Sequence, residues 1–307
     1  MSGLPIVIIC GPTASGKSML GLDLAEALNG EIVSADSMQV YIHMDIGTDK
    51  PSTEIRQRIT HHVIDLVYPD QSFDAAQYRD AASQAIQAVT HSGKRAFVVG
   101  GTGLYLNALV HGLFSCPPIP QEIRMKLREE ARERGSARLH EELRRVDSAA
   151  AGRIHPHDTF RIVRALEVYR TVGKAISDLQ RAHRLSSEPV HVLKMAIDVE
   201  RKDLYRRIEE RVDRMMKRGL IEEVESLFNL GYDRSLRPMQ GIGYRQVGAY
   251  LHGELSLDRA IDLTKRDSRR YAKRQWTWFR GDSEVRWLPE KRPEVEALRM
   301  AKNLLKV

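Results

Sequence analysis

A glycine-rich segment near the N-terminus limits the fold of this chain more than any other feature of its sequence. It reads Gly11-Pro12-Thr13-Ala14-Ser15-Gly16-Lys17-Ser18 and fits the pattern G-x-x-x-x-G-K-[ST]. The apolar, β-branched run Ile6-Val7-Ile8-Ile9 precedes it, and a helical pattern from Lys17 to Leu28 follows it. Between a strand and a helix, the backbone N–H groups of such a loop point inward at phosphate oxygens. We therefore predict that residues 11–18, the phosphate loop, bind a chain of phosphates.

Two side chains of the phosphate loop have predicted roles of their own. Lys17 supplies a positive charge to the phosphates, and the Ser18 hydroxyl can ligate Mg²⁺. The motif does not indicate which molecule carries the phosphates.

The first part of the chain alternates between strand and helix signals. Further strands are predicted at Glu31–Ser34, His62–Leu66 and Ala96–Val99, with a helix from Tyr78 to Val89 before the last of them. Such alternation indicates a parallel sheet flanked by helices. With the phosphate loop after the first strand, we predict an α/β fold of the P-loop NTPase type.

The pattern changes in the middle of the chain. Residues 117–188 contain no convincing strand signal and read as several helices, of which one is capped by Asp158 or Thr159 and ended by Gly173. A fifth strand is predicted at Val190–Val199, followed by helix from Leu204 to Leu230 and mostly helix to the end. We therefore predict an α/β core at 1–115 and 190–307, interrupted by an all-helical insertion at 116–189.

The positive charge is concentrated in two segments. The chain has a net charge of +7, whereas residues 121–187 alone have a net charge of +5 and residues 265–280 of +6. The remainder is therefore slightly acidic, and the two segments are candidate contacts for a nucleic-acid backbone. No apolar run resembles a membrane span or signal peptide, and Cys10 and Cys116 lie too far apart to form a zinc motif. We expect a cytoplasmic monomer without a membrane partner.

Asp36 and Thr102 follow the second and fourth predicted strands. Ligands of parallel sheets bind beyond the carboxyl ends of the strands, so both side chains should face the phosphate loop across one crevice. Asp36 has three open interpretations: a loop carboxylate or helix cap, a Mg²⁺ ligand, or a general base. Composition alone does not choose among them.

Several longer motifs resemble the bacterial tRNA dimethylallyltransferase family, also called the tRNA isopentenyltransferase or IPP transferase family. They are the phosphate loop, Ser34–Tyr41, Met44–Pro51, Val99–Tyr105, Ile154–Asp158, Arg161–Glu167, Arg211–Asp213, Gly219–Val224, Met239–Tyr244 and Lys273–Arg280. They occur in the family's order over nearly the whole chain, and only the phosphate loop is generic. His157 stands where the family pattern has Asn.

The resemblance implies transfer of a dimethylallyl group from dimethylallyl diphosphate to N6 of the adenosine 3′ of the anticodon in tRNA, with Mg²⁺ as cofactor. The catalytic residues it implies are Asp36, Thr102 and Lys17. The implied diphosphate contacts are Gly11, Pro12, Thr13, Ala14, Ser15, Gly16, Lys17, Ser18 and Arg211, with Mg²⁺ on Ser18. The expected contacts to the tRNA anticodon stem-loop are Asp36, Ser37, Met38, Gln39, Thr102, Arg124, Phe160, Arg161, Ile162, Val163, Arg164, Lys273 and Arg274.

The residues themselves support parts of this assignment. Arg161 and Arg164 are three apart and share a helix face, and Gln39 is a residue type that can read an adenine edge. Two other functions are open on the phosphate loop alone: a small-molecule or nucleotide kinase that uses ATP, and an RNA-binding protein without prenyl chemistry. The long basic insertion argues against a small kinase, and the pairing of Asp36 with Thr102 argues against a pure binder.

Overall fold

The chain is divided into two compact units. A computed structural model describes residues 5–114, 116–186 and 191–306. One unit comprises Met1–Val110 with Val190–Val307 and is called the α/β unit; the other comprises His111–Pro189 and is called the helical unit.

The α/β unit is built on a parallel, six-stranded sheet. Its strands are β1 Ile6–Cys10, β2 Gly30–Ser34, β3 His61–His62, β4 Arg95–Gly100, β5 Val192–Asp198 and β6 Val285–Pro289. They lie in the order β3-β2-β4-β1-β5-β6, so β1 is internal and pairs with β4 and β5. The buried, apolar residues of β1 are those expected of a parallel strand covered on both faces. The predicted α/β fold with a helical insertion is confirmed.

Alternate residues of the strands point to opposite sides of the sheet and form two cores. Ile8 and Val98 belong to the core on one face, whereas Ile9 and Phe97 belong to the core on the other. This is the period of two that side chains follow along a strand. The loops at the strand ends are therefore mounted on a sheet that is packed on both sides.

Helices cover the sheet and form the helical unit. In chain order they are α1 Lys17–Ala27, α2 Thr53–Arg58, α3 Ala75–His91, α4 Gly103–His111, α5 Gln121–Val146, α6 Ser148–Ala151, α7 Thr159–Val172, α8 Ile176–Ser186, α9 Arg201–Lys217, α10 Leu220–Asn229, α11 Tyr244–Leu251, α12 Leu257–Arg280 and α13 Pro293–Leu305. A 3₁₀ turn lies at Pro238–Gln240. Among the described residues no helix is both long enough and apolar enough to cross a bilayer.

The helical unit has a separate apolar core. Leu127 and Leu143 of α5 pack with Leu166 of α7 in a cluster distinct from the two sheet cores. Helix α7 begins where the sequence predicts, because the Asp158 side chain accepts a hydrogen bond from the Arg161 N–H. The carboxylate satisfies one of the free N–H groups of the first turn.

Three details of the predicted secondary structure are wrong. The strand expected at His62–Leu66 stops at His62, because Val63 and Asp65 take positive φ angles of 61° and 54° that a strand does not allow. The helix expected from Leu204 to Leu230 is two helices, separated at Gly219 with a φ of 99°.

The third error is the omission of β6. Its residues Val285 and Leu288 are buried but Arg286 between them is exposed, so the segment lacks a continuous apolar run. The predicted fifth strand is confirmed as β5, while Val190, its predicted first residue, lies outside the described residues.

Candidate active site

A cavity of about 710 Å³ opens in the α/β unit at the carboxyl ends of the central strands. The phosphate loop follows β1, and Asp36 lies two residues after β2. Helices α9 and α12 and the segment 240–245 complete the wall. The lining includes Thr13, Lys17, Ser18, Asp36, Gln39, Asp49, Ile208, Arg211, Met215, Ile242, Arg270, Tyr271, Arg274 and Gln275. The sheet thus brings the predicted phosphate and acid–base residues to one place, as parallel strands do.

The backbone of the phosphate loop has the conformation that its glycines allow. Gly11 has a φ of 136° and Gly16 a φ of 93°, angles that residues with a Cβ rarely adopt. Gly16 is the N-cap of α1 and no side chain caps that end. The first N–H groups of α1 are therefore left for a ligand, and the partial positive charge of the helix N-terminus favours an anion there.

The other members of the loop have different surroundings. Pro12 and Ser15 are buried, Ala14 is half-buried and Ser18 is exposed to the cavity. The buried Ser15 hydroxyl has no hydrogen-bond partner within the described part of the chain. A buried hydroxyl without a partner is costly, so an additional acceptor at this loop would be stabilising.

Cations from two elements meet at the phosphate loop. The Lys17 ammonium donates to the Pro12 carbonyl at 3.3 Å, and the Arg211 guanidinium of α9 is hydrogen-bonded to the Thr13 hydroxyl. Burial, and then the positive charge of Arg211, lower the pKa of Lys17 to about 8, while Asp36 and Asp49 act against this shift. An anion between the two cations would relieve their repulsion, which makes this corner of the cavity an anion site.

Asp49 is an additional carboxylate at this corner that the sequence does not single out. Its oxygens lie 3.4 Å from Arg211 Nε and 3.7 Å from an Arg218 nitrogen. Its side chain is 46% exposed, so the two pairs are screened by solvent. Asp49 therefore partly neutralises the arginine that the sequence predicts to contact a diphosphate.

Asp36 and Thr102 are held together through the backbone between them. The Asp36 carboxylate accepts a hydrogen bond from the Met38 N–H at 2.8 Å, and the Thr102 hydroxyl accepts one from the Ser37 N–H at 3.0 Å. The Thr102 N–H donates to the Ala35 carbonyl at 3.1 Å. The turn that carries Asp36 is thus fixed to the loop that follows β4.

Tyr271 of α12 lines the same cavity as Asp36, and the neighbouring Thr102 hydroxyl acts to lower the pKa of its phenol. Burial, and then the charge of Asp36, raise the pKa of Tyr271 to about 12. The phenol therefore stays protonated at neutral pH and is a neutral hydrogen-bonding group beside the carboxylate.

The Gln39 amide makes its own contacts within the protein. Its oxygen accepts from the Ser34 hydroxyl at 2.9 Å, and its nitrogen donates to the carbonyls of Thr48 and Asp49 at 3.3 Å. An adenine edge would have to replace these partners, so the predicted base-reading role of Gln39 stays a prediction.

Similarity to known proteins agrees with this geometry. A family model described as IPP transferase matches residues 39–282. The chain belongs to the IPP transferase family. It is 54% identical over 283 residues to the tRNA dimethylallyltransferase of Geobacter sulfurreducens. The alignment covers 92% of this chain and 91% of that protein. The resemblance predicted from the motifs is therefore confirmed.

Solved structures of the IPP transferase family and related enzymes are also similar. The full-length tRNA isopentenylpyrophosphate transferase of Bacillus halodurans superposes with a TM-score of 0.73 at 38% identity, covering 98% of this chain and 97% of that one. A eukaryotic dimethylallyltransferase acting on tRNA gives a TM-score of 0.80 at 26% identity, covering 97% of this chain and 77% of that one.

The residues at the phosphate loop fit a Mg²⁺ ion. The Ser18 hydroxyl and the Asp36 carboxylate line the same cavity and supply oxygen, the ligand type that Mg²⁺ prefers. No cluster of three or more His, Cys, Asp or Glu side chains suited to a metal occurs among the described residues. Since Mg²⁺ usually keeps waters and binds through one or two protein oxygens plus substrate phosphates, such a cluster is not required.

Arginines form the rim of the cavity on α12 and α11. Arg245, Arg266 and Arg270 surround the Asp267 carboxylate, which lies 3.0 Å from a nitrogen of each of the first two and 3.7 Å from the third. One carboxylate among three guanidiniums leaves a net positive rim. Lys273 and Arg274, which the sequence predicts to contact RNA, are exposed on the same helix, and Arg274 lies over the Tyr271 ring.

The predicted RNA contacts in the helical unit have unequal surroundings. Phe160 is 79% exposed, whereas Ile162 and Val163 are buried in the apolar core of that unit. The last two side chains therefore face the apolar core of the helical unit, and the predicted contacts of Ile162 and Val163 with tRNA stay predictions.

Three arginines that are also predicted to contact tRNA, one on α5 and two on α7, are paired with carboxylates. Arg161 pairs with Asp158, while Arg124 and Arg164 both pair with the buried carboxylate of Glu167 at 3.1 and 3.4 Å. Glu167 thus orients two of the predicted RNA-binding arginines.

Helix α12 contributes residues that sequence reasoning missed. Asp267, Tyr271 and Gln275 are spaced by four and all line the cavity. That spacing places the three side chains on one face of the helix. The spacing is visible in the sequence, but the distant loops that this face contacts are not, and the basic residues of the segment indicate only its exposed face.

Proposed function

We propose that this chain transfers a dimethylallyl group from dimethylallyl diphosphate to the N6 amine of the adenosine immediately 3′ of the anticodon in tRNA, and releases diphosphate. One observation carries the proposal: a single cavity holds a cationic phosphate loop and, across from it, a carboxylate fixed beside a threonine hydroxyl. A diphosphate leaving group and a weakly nucleophilic amine need these two kinds of group at the same time.

The apolar part of the same cavity suits the prenyl chain. Ile208, Val212 and Met215 of α9 line it together with Val99 and Ile242. The first three side chains lie on the helix that also carries Arg211. Burial of a small hydrocarbon chain against them contributes roughly 0.8 kcal/mol per methylene, and it orients the reacting carbon relative to the diphosphate.

The transfer step forms one bond and breaks another. N6 forms a bond to the allylic carbon while the bond between that carbon and the diphosphate oxygen breaks. The proton of N6 passes to the Asp36 carboxylate, and the electron pair of the broken bond leaves with the diphosphate. Thr102 and Asp36 orient the amine, whose lone pair is otherwise delocalised into the adenine ring.

Positive charge stabilises the leaving group. Lys17, Arg211 and the N–H groups of the loop face the developing charge on the diphosphate. Ser18 would hold a Mg²⁺ ion, which would neutralise further negative charge on the departing diphosphate. Binding of that ion by Asp36 is the alternative to its role as the base, because a carboxylate beside Mg²⁺ is a weaker proton acceptor.

RNA is proposed to bind to the exposed cations of both basic segments. The target adenine must leave the stack of the anticodon loop, and extrusion from a loop costs less than extrusion from a duplex. We also propose that the enzyme is a monomer. Action on tRNA supports the further proposal that it is cytoplasmic.

Three functions are distinguished by one experiment. The protein is incubated with unmodified tRNA and either dimethylallyl diphosphate or ATP. The RNA is then digested, and the masses of its nucleosides are measured by mass spectrometry. We expect a prenylated adenosine with dimethylallyl diphosphate only. Phosphate transfer from ATP would favour a kinase, and binding of tRNA without any mass change would favour a pure RNA-binding protein.

A further inference from the structure

Gln275 of α12 contacts two loops that are far away in the sequence. Its side-chain oxygen accepts a hydrogen bond from the Thr13 N–H at 2.9 Å, and its side-chain nitrogen donates to the Gly101 carbonyl at 2.8 Å. The residue is only 7% exposed. A buried amide that uses both its oxygen and its nitrogen has a fixed orientation, because rotation would leave both partners unpaired.

The two partners belong to opposite sides of the proposed reaction. Thr13 is part of the phosphate loop, and its hydroxyl is also bonded to Arg211. Gly101 immediately precedes Thr102, whose hydroxyl accepts a hydrogen bond from the N–H of Ser37, the residue after Asp36. Through one amide, the loop for the leaving group is tied to the loop for the attacking amine.

The close approach of the amide requires a glycine. A Cβ atom added at Gly101 would lie 2.3 Å from the Gln275 nitrogen and 3.1 Å from the Gly11 carbonyl oxygen. The first distance is shorter than non-bonded contacts allow and the second is tight, so a side chain at 101 would displace the bridge. The bridge and the glycine beside it therefore form one arrangement.

We propose that Gln275 is a positioning residue that sets the distance between the diphosphate and the attacking amine. The inference rests on the proposed function. Gln275 takes no proton and forms no bond to substrate in this role. It acts by holding two binding loops in register, and a misplacement of about 1 Å between reacting groups can cost roughly 100-fold in rate.

The test compares the effect of Gln275 variants on the rate of transfer with their effect on ligand affinity. Gln275→Leu keeps the approximate volume but removes both hydrogen bonds, and Gln275→Glu keeps the acceptor for Thr13 while losing the donor to Gly101. We expect the single-turnover rate at saturating tRNA and dimethylallyl diphosphate to fall roughly 10- to 100-fold in Gln275→Leu. The dissociation constants of tRNA and of inorganic pyrophosphate should change by less than about threefold, because each loop keeps its own ligand groups. Gln275→Glu should also be slower than wild type.

A direct measurement of the contact does not depend on chemistry. Hydrogen exchange of the Thr13 amide should become faster in Gln275→Leu and stay slow in Gln275→Glu, since only the first loses the acceptor. Equal exchange in wild type and Gln275→Leu would show that the bridge is absent in solution and would overturn the inference.

A matched control separates positioning from loss of stability. Glu31 is also buried in the α/β unit and bonds to His62 and Lys94 at 2.6 Å, but it lies at the amino end of β2, opposite the cavity. Glu31→Leu should lower the melting temperature and keep the wild-type single-turnover rate at temperatures where it is folded. If Gln275→Leu also keeps the wild-type rate, or if it loses binding in proportion to rate, the positioning role is wrong. If wild type itself transfers no prenyl group, the proposed function is wrong, and the exchange result still decides the bridge.

Discussion

The two units of this chain use buried polar side chains for different purposes. In the α/β unit, Gln275 connects two loops at the cavity, while Ser34 and Thr48 fix the conformation of the chain beside it by bonding to Gln39 and to the Met44 carbonyl. In the helical unit, the buried carboxylate of Asp147 accepts from the Ala150 N–H at 2.8 Å and the Ser177 N–H at 2.9 Å. The first set shapes a binding site, and the Asp147 carboxylate joins α6 to α8.

The difference indicates where chemistry and where recognition reside. A reaction needs groups fixed relative to one another, which buried hydrogen bonds provide at a cost if any partner is missing. Contacts to a phosphate backbone need charge at the surface and tolerate small displacements. We therefore expect substitutions at the cavity to change the rate of transfer, and substitutions at exposed cations to change RNA affinity.

The strongest test of this division is the pair Lys17→Ala and Asp36→Asn. Lys17→Ala removes a charge from the leaving-group site and should slow transfer about 100- to 1,000-fold, the range for one preorganised electrostatic contact. Asp36→Asn keeps the shape but cannot accept the N6 proton, and it should lose at least about 100-fold. Rates are measured in single turnovers with saturating tRNA, and circular dichroism checks the fold.

The two variants also separate the alternatives for Asp36. If Asp36 is the base, Asp36→Asn should still bind tRNA and should not regain its rate when Mg²⁺ is raised. Recovery at high Mg²⁺ would identify a metal ligand instead, and a matching loss of tRNA affinity would identify a recognition residue. Near-normal turnover of Lys17→Ala would contradict the leaving-group site.

A smaller effect is expected at the exposed face of α12. Lys273→Ala and Arg274→Ala should weaken tRNA binding and lower its slope against log salt by about one unit each, because each removes a phosphate contact. Pyrophosphate binding should be retained in Lys273→Ala. Titrations of an anticodon stem-loop at several salt concentrations measure both. An unchanged slope would mean that these cations serve the protein's own packing.

The sequence predicted the site better than it predicted the parts that shape it. Lys17, Asp36 and Arg211 lie in recognisable sequence motifs, and all three line the cavity. Gln275 was missed because its partners are a main-chain N–H and a carbonyl 262 and 174 residues away, which no local pattern records. The predicted strand at 62–66 failed for a similar reason, because the positive φ angles of Val63 and Asp65 depend on tertiary contacts.

One of those contacts is visible at Asp65, whose carboxylate pairs with the buried ammonium of Lys50 at 2.6 Å. Apolar composition favoured a strand there. The Lys50 ammonium also pairs with Asp45 at 2.6 Å, so Asp65 belongs to an ion cluster that a local sequence pattern does not record.

A third prediction tests whether the helical unit can be weakened without affecting the chemistry. Arg170 of α7 lies 2.8 Å from Glu130 and 2.9 Å from Glu142 of α5. Arg170→Ala leaves two carboxylates facing each other and should destabilise the helical unit by about 1 kcal/mol at neutral pH, as expected of a partly exposed ion pair. Hydrogen exchange of α5 and α7 measures the loss, and the transfer rate at saturating tRNA should stay within about twofold.

The effect of Arg170 should depend on pH with a defined sign. Its hydrogen bond lowers the pKa of Glu130 from the ordinary value of 4.5 in the folded chain. A group with a lowered folded pKa contributes stability that is present above 4.5 and is lost as the pH falls through the folded pKa. The difference between wild type and Arg170→Ala should therefore shrink below that value. A constant difference from pH 7 down to pH 3 would exclude this origin.

The smallest expected effect lies at Asp49, and it has the opposite sign from the other cavity variants. Asp49 places a negative charge 3.4 Å from Arg211, so an incoming diphosphate must compete with it for the guanidinium. Asp49→Ala should raise the affinity for inorganic pyrophosphate by roughly three- to tenfold. This is the change expected when a partly screened charge–charge interaction of about 1 kcal/mol is removed. Asp213→Ala is the matched control on α9, because Asp213 pairs with Lys265 at 2.7 Å and does not line the cavity. Calorimetry with pyrophosphate, with and without Mg²⁺, compares the two. If Asp49→Ala instead weakens pyrophosphate binding while Asp213→Ala leaves it unchanged, Asp49 supports the diphosphate site, for example by orienting Arg211, and the cavity has one fewer opposing charge than its geometry indicates.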